Sequence, residues 1–278
     1  QPVGGALDAD LWLSFDARLE RLRVEARAPD LVLRGVEAVP FSSGLAIEPR
    51  ESLPFLRVAA RFERDGEAWR ADWLDWREDT AAPSTRASVR RSGPGAPIEL
   101  RAPRIDLAAA APLLALSDAL PPGLRRLLYE NAPTGALLAV GLDFDGANAT
   151  GALRLDRVRL AVGSRTPGVD SLSGTLRADA GFWRIAPDPG LAVTIDYPHV
   201  FRQALELTLL GGEIGVWRAE DGTRVEASDL RFEGDGYAGE LRAQLHFDGV
   251  GSRPTLDAML AVDRGEVPTA RLFWPVNV

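Results

Sequence analysis

The sequence contains no cysteine and no lysine, and it has only two histidines and one methionine. The absence of cysteine excludes disulfides, thiolate nucleophiles and metal sites built on sulfur. Since every basic residue is an arginine, we interpret the missing lysine as a sign of a GC-rich coding sequence. It carries no information about chemistry.

Long apolar runs are also missing. No stretch approaches the roughly 20 apolar residues that a membrane-spanning helix needs, and residues 1–5 have neither the basic nor the apolar region of a signal peptide. The sequence begins without methionine and stops abruptly after residues 274–278. We therefore expect a segment of a longer protein, with any export signal or anchor outside it.

The charge balance argues against nucleic acid as a partner. The chain has 40 acidic and 32 basic residues, a net charge of -8, whereas a nucleic-acid-binding domain needs a basic stripe. With 46% apolar and 26% charged residues, the composition is that of an ordered globular protein.

Alternation of apolar and polar residues runs through most of the chain, which is typical of β-strands with one dry and one wet face. We predict that the apolar members in the second half line a hydrophobic groove. These residues are Leu153, Leu155, Leu172, Leu176, Val193, Ile195, Leu205, Leu207, Leu209, Leu241, Leu245, Phe247, Leu256 and Leu260. A β-bulge within a strand would exchange its two faces, so these assignments depend on register.

Asp-Gly pairs separate many of the alternating runs. They occur at 65–66, 145–146, 221–222, 235–236 and 248–249, and Asp-Gly favours the positive φ angles of tight hairpin turns. The sequence therefore predicts a mainly β fold with a long antiparallel meander, and the family resemblance given below implies that this meander is curved into an elongated groove.

One region departs from this pattern. Between Asp106 and Asn131 the apolar spacing becomes helical, and Pro121-Pro122 divides the region. We expect a short helical insertion of two helices over residues 106–131.

Residues 80–97 are rich in Ala, Pro, Ser, Gly and Arg, and they allow two interpretations. They could form a boundary between two domains. We favour a strand and hairpin of the same sheet, because residues 84–90 fit a polar edge strand and alternation resumes at Ile98. Residues 1–278 are then one continuous segment.

Motifs for chemistry are missing from the sequence. There is no G-x-S-x-G elbow and no H-E-x-x-H pair, and the two histidines stand in unrelated contexts. We expect no catalytic residue, no metal site, no cofactor and no enzyme activity. Two rivals stay open: a closed β-sandwich that binds carbohydrate or peptide, and a glycosidase in which Asp143, Asp145 or Glu206 would act.

Several short motifs resemble the YhdP branch of the AsmA-like family. They are rich in Gly, Pro and aromatic residues, and they keep a fixed order: APTG at 132–135, PGVDSLSGTLRADAGFWRI at 167–185, VTIDYPHVFRQAL at 193–205, LGGEIGVW at 210–217 and GSRPTLD at 251–257. The resemblance is clearest over residues 98–278. Trp274-Pro275 stands where the family usually has Leu-Pro.

The resemblance implies a repeating β-groove protein of diderm, Gram-negative bacteria. Members are large proteins tethered to the inner membrane that extend through the periplasm, and they serve outer-membrane biogenesis by bridge-like transfer of phospholipid. For this chain it implies phospholipid as a partner, and contact with the inner and outer membranes through parts of a longer protein. It implies no active site.

Overall fold

The computed structural model describes residues 2–16, 18–35, 39–40, 46–47, 50–77, 85–117, 120, 122–146, 148–163, 166–198, 201–219, 222–247 and 255–266. The strands of the first half are β1 (Pro2–Gly4), β2 (Asp8–Asp16), β3 (Arg18–Arg34), β4 (Val39–Pro40), β5 (Ala46–Ile47), β6 (Arg50–Asp65), β7 (Ala68–Arg77), β8 (Arg86–Arg91) and β9 (Ile98–Asp106). Two helices follow, α1 (Leu107–Ala115) and α2 (Pro122–Asn131). The remaining strands are β10 (Thr134–Asp145), β11 (Asn148–Leu160), β12 (Gly168–Asp179), β13 (Phe182–Pro187), β14 (Leu191–Asp196), β15 (Leu205–Ala219), β16 (Gly222–Gly234), β17 (Tyr237–Phe247) and β18 (Thr255–Gly265).

Sixteen of the described strands form one sheet, and each strand pairs antiparallel with its neighbours in the sheet. β1 and β2 lie end to end beside β3, and β13 and β14 lie end to end between β12 and β15. The sheet therefore has fourteen strand positions in sequence order. The predicted antiparallel meander is confirmed.

This arrangement differs from a closed sandwich, which needs two sheets packed face to face. Among the described strands, only the short β4–β5 hairpin stands apart from the main sheet. β8, which we predicted to be a polar edge strand, instead lies between β7 and β9 and pairs with both. β8 can lie in the interior of the sheet because β7 and β9 form hydrogen bonds with its backbone N–H and C=O groups on both sides.

The helical insertion is confirmed with its predicted ends. Asp106 caps α1, and its carboxylate accepts a hydrogen bond of 3.0 Å from the backbone N–H of Ala108. Leu107, Ala111 and Ala115 form the buried side of α1. The predicted turns at 65–66, 145–146 and 235–236 join successive strands, while residues 221 and 248–249 lie outside the described part.

Bulges run across the second half of the sheet in neighbouring strands. Arg157 in β11, Ser171 in β12 and Asp229 in β16 have positive φ angles of 47°, 66° and 50°, and the strand pairing shifts beside each of them. In the strand position between β12 and β15, residues 188–190 separate β13 from β14. We call the line formed by Arg157, Ser171, residues 188–190, Gly212 in β15 and Asp229 the crease.

The members of the crease are neighbours in space. The Arg157 backbone N–H donates to the Ser173 hydroxyl at 2.9 Å, and the Asp188 N–H donates to the Ser173 carbonyl at 3.0 Å. Ala139 in β10 has a positive φ angle of 48° and lies beside a register shift with β11, and Asp30 in β3 has a positive φ angle of 52°. Since a bulge bends its strand and increases its twist, aligned bulges bend the whole sheet along one line.

The crease also keeps the apolar side chains on one face. In β11, Leu153 and Leu155 are buried with spacing two, and the next buried residue is Val158, three positions on. β16 likewise passes from half-buried Ala227 to buried Leu230. Because the bulge adds one residue, Val158 and Leu230 lie on the same face as Leu155 and Ala227. Strict alternation would have placed them on the opposite face.

Glycine at position 212 is required by this geometry. Its φ is +108°, and an added Cβ would lie 2.5 Å from the Asp229 carbonyl oxygen and 2.6 Å from the Leu230 Cα. We predict that Gly212→Ala lowers the free energy of unfolding by about 2–3 kcal/mol, measured by urea denaturation followed by circular dichroism. Gly93→Ala, with open space around the new methyl group, should stay within about 0.5 kcal/mol of the parent. Equal midpoints for the two variants would contradict the close approach at the crease.

Candidate functional site: an apolar face across the sheet

A single row of register partners crosses all fourteen strand positions, and its described side chains lie on one face; we call it the apolar row. Each member is the register partner of the next: Leu13, Leu22, Phe62, Ala71, Val89, Leu100, Leu142, Gly151, Ala178, Trp183, Val216, Val225, Leu245 and Leu256. Thirteen of these positions carry an apolar side chain and one is glycine. Because strands stand about 4.8 Å apart, the row is roughly 60 Å long.

The next row along the strands faces the other way and is mainly polar. It runs Trp12, Arg23, Arg61, Asp72, Ser88, Arg101, Gly141, Ala152, Arg177, Arg184, Gly215, Glu226, Gln244 and Asp257. The sheet therefore has two chemically distinct faces along its whole described length.

Ion pairs cover this polar face. Arg101 reaches Asp143 at 2.6 Å, and Arg242 reaches Asp229 at 2.6 Å. The side chains in these two pairs are between 38% and 64% exposed, so each pair contributes at most about 1 kcal/mol. The main effect of these charged side chains is to keep the polar face hydrated.

Most of the predicted groove residues gather in two clusters on the apolar face. The first cluster joins Leu153 and Leu155 with Leu172 and Leu176. The second contains the other predicted residues of β14, β15 and β17 that pack together: Val193, Ile195, Leu205, Leu207, Leu209 and Leu241. These ten residues lie on both sides of the crease.

The other four predicted residues have different places. Leu245 is half-buried in the apolar row and pairs with Val225, and Leu260, on the edge strand β18, is 44% exposed. The side chains of Phe247 and Leu256 lie outside what the structure describes. The groove-lining role of all fourteen stays a prediction.

Further members of the apolar face were missing from the sequence prediction. Val158 follows the bulge in β11, and Leu230, Phe232 and Tyr237 belong to the second cluster. A spacing of three between apolar residues, as in Leu155-Asp-Arg-Val158, was the available signal for a bulge. Tyr237 is held by its hydroxyl, which donates to the Glu206 carbonyl at 2.6 Å, and burial raises the pKa of this tyrosine.

The burial of these clusters requires curvature. Leu209 is only 3% exposed and Leu153 only 6%, although the strands described here form one layer. A flat single sheet leaves its large side chains in contact with water, so neighbouring parts of the same sheet must close over them. The bulges at the crease supply that bend.

The carboxylate of Glu51 lies on the apolar face. Glu51 in β6 has the same orientation as Leu53, which pairs with Leu31, and Glu51 itself pairs with Leu33. It is half-buried, and this burial raises the pKa of its carboxyl group. The ionised form is therefore disfavoured in the folded protein.

Two further observations concern chemistry and membranes. Among the described residues, no group of three or more His, Asp or Glu side chains is placed to hold a metal ion. In the same part of the chain, neither helix is long and apolar enough to cross a membrane.

Comparison with known proteins gives a match to a protein family. The family model described as YhdP protein matches residues 1–278, the whole chain. No curated protein and no solved structure matches.

The position of Glu51 gives a pH-dependent prediction. Since its folded-state pKa is raised, the folded state holds the proton more tightly, and stability falls as pH rises from about 4.5 through the folded pKa. Glu51→Gln should therefore raise the urea midpoint at pH 7 and leave it unchanged near pH 4. Glu20→Gln, at an exposed position of β3, serves as the control and should change neither midpoint. If Glu51→Gln gives the same midpoint as the parent at pH 7, the carboxylate is not desolvated.

Proposed function

The chain belongs to the YhdP protein family, and on this premise we propose that its apolar face binds the acyl chains of phospholipids and guides them along the sheet. The role is non-catalytic. The protein would act in the periplasm of a diderm bacterium, as part of a longer protein tethered to the inner membrane, and carry phospholipid between the inner and outer membranes.

The apolar row is the observation that carries this proposal. None of its fourteen residues titrates, and it crosses every described strand position without a large polar side chain. At roughly 60 Å, it exceeds the ~40–45 Å thickness of a bilayer with its headgroups. A surface this long and uniform suits a ligand that moves along it better than one held at a point.

The energetics favour movement. Moving an acyl chain from a membrane into water costs about 0.8 kcal/mol of free energy for each exposed CH₂ group. A curved apolar face replaces the hydrocarbon surroundings of the membrane, so the free energy of the chain changes little on transfer. Because the face has no polar side chain in the row to hold a headgroup at one strand, neighbouring positions are close in energy.

The two-faced sheet supports the same function. Exposed ion pairs such as Arg101–Asp143 and Arg184–Glu213 keep the opposite face hydrated. A lipid would therefore contact one face only, with its headgroup directed away from the sheet towards water.

Photo-crosslinking at neighbouring positions tests this function. A benzophenone amino acid in place of Leu245, on the apolar row, should capture a radiolabelled phospholipid after incubation with vesicles. The same amino acid in place of Gln244, one residue away on the polar face, should capture at least tenfold less. Both side chains are half-buried in the parent, so the pair is matched for accessibility. Equal capture at the two positions, or none at Leu245, would contradict the proposal.

A further inference from the structure

Two arginines lie on the apolar face at the edge of the sheet formed by the β6–β7 and β8–β9 turns. Arg64 on β6 and Arg91 on β8 are both register partners of Trp69 on β7. Arg64 stands two residues from Phe62, a member of the apolar row, and Arg91 stands two residues from Val89, another member. Since side chains alternate along a strand, both arginines share the face of that row. We call them the rim arginines.

Each rim arginine is fixed by its own turn. The Arg64 Nε donates to the Gly66 carbonyl at 2.8 Å, and the Arg91 Nε donates to the Ala96 carbonyl at 3.2 Å. Both arginines are half-buried. Because each Nε is used within its own turn, the guanidinium group is held in place while its two terminal nitrogens, which carry four N–H donors, remain for other acceptors.

The terminal nitrogens of the rim arginines have no hydrogen-bond acceptor among the described residues. Arg64 Nη2 lies 3.9 Å from the Glu67 carboxylate, beyond hydrogen-bonding distance, and that carboxylate is 3.3 Å from Arg18. A partly buried donor without an acceptor loses hydration that nothing in the protein replaces. An anion between the two guanidinium groups would supply the missing acceptors.

Arginines on the opposite face of the neighbouring strands have such acceptors. Arg70 on β7 lies 2.8 Å from Asp72, and Arg90 on β8 lies 2.7 Å from Glu99. In the part of the chain that the structure describes, no carboxylate forms an ion pair with Arg91. The charges of the polar face are therefore paired, whereas the rim of the apolar face is left positive at β6 and β8.

Trp69 stands between the rim arginines. Its ring stacks on Phe62 with the ring centroids 6.5 Å apart, and it is half-buried. A tryptophan ring suits the boundary between an apolar region and a polar one. Since neighbouring strands stand about 4.8 Å apart, the backbones of Arg64 and Arg91 are about 10 Å apart. Two side chains as long as arginine can therefore reach one phosphate group above the ring.

We propose that the rim arginines bind the phosphate group of a phospholipid whose acyl chains lie on the apolar row. This inference rests on the proposed function. A guanidinium group donates two parallel hydrogen bonds to a phosphate, and its weak hydration allows this beside an apolar surface. Because the apolar row itself holds no headgroup, the site makes β6–β8 a stopping place along the path. It would also distinguish phospholipids from acyl lipids that lack a phosphate.

Capture of two lipids that differ only in the phosphate tests the site. A benzophenone amino acid in place of Val89 reports lipid on the apolar row, two residues from Arg91. The protein is incubated with phosphatidylcholine vesicles that contain equal amounts of radiolabelled phosphatidic acid and diacylglycerol with the same acyl chains. We expect the ratio of captured phosphatidic acid to diacylglycerol to fall at least fivefold in Arg64→Gln with Arg91→Gln. Capture of diacylglycerol should stay at the parent level, which shows that the variant is folded.

The control is Arg61→Gln with Arg90→Gln, which removes one arginine of β6 and one of β8 from the polar face and should leave the ratio unchanged. An unchanged ratio in the rim variant, or an equal fall in the control, would overturn the phosphate site alone. If neither lipid is captured by any variant, the proposed function and the phosphate site are both wrong.

Inorganic phosphate separates a lipid site from a site for a free anion. Added at millimolar concentration to the parent protein, it should leave the capture ratio unchanged, because it lacks the acyl chains that bind the apolar row. A ratio lowered to that of the rim variant would assign the rim arginines to a free anion and overturn their role towards lipid.

Discussion

The orientation of side chains along each strand is the constraint on which the apolar face depends. Strict alternation places every second residue on one face, and a single inserted residue reverses the assignment. Long strands such as β11 and β16 carry such an insertion where they cross the crease, and the apolar pattern in the sequence shifts by one residue at the same point. The face stays continuous because both shifts occur together.

The same insertions give the sheet its shape. Bulged residues with positive φ angles bend their strands, and glycine is needed where the neighbouring backbone approaches closely, as at Gly212 against Asp229. Curvature then allows a single layer to bury leucines such as Leu209 without a second sheet. Bend, burial and the unbroken apolar row therefore have one common cause.

Much of this architecture could be predicted from the sequence, because alternation, Asp-Gly turns and the helical spacing of residues 106–131 are local signals. The order of the strands followed from short connections. What could not be predicted is register: the row that joins Leu142 to Trp183 and Val225 depends on the exact position of each bulge. Val158 was missed for this reason, since the bulge at Arg157 lies between it and Leu155. The interior place of β8 was missed because its polar sequence is typical of an edge strand. The hydrogen bonds of the Asn131 side chain were also missed, because their partners Ala161 and Thr166 lie 30 and 35 positions further along the chain.

The central claim is that the apolar face is an open surface for lipid and not only a folding core. Native mass spectrometry of the detergent-free protein, after incubation with phospholipid vesicles, tests it directly. The account predicts bound phospholipid, with more than one molecule per chain because the row is several acyl-chain widths long. A protein that remains free of lipid under these conditions would show that the face is closed by its own packing, and would contradict the account.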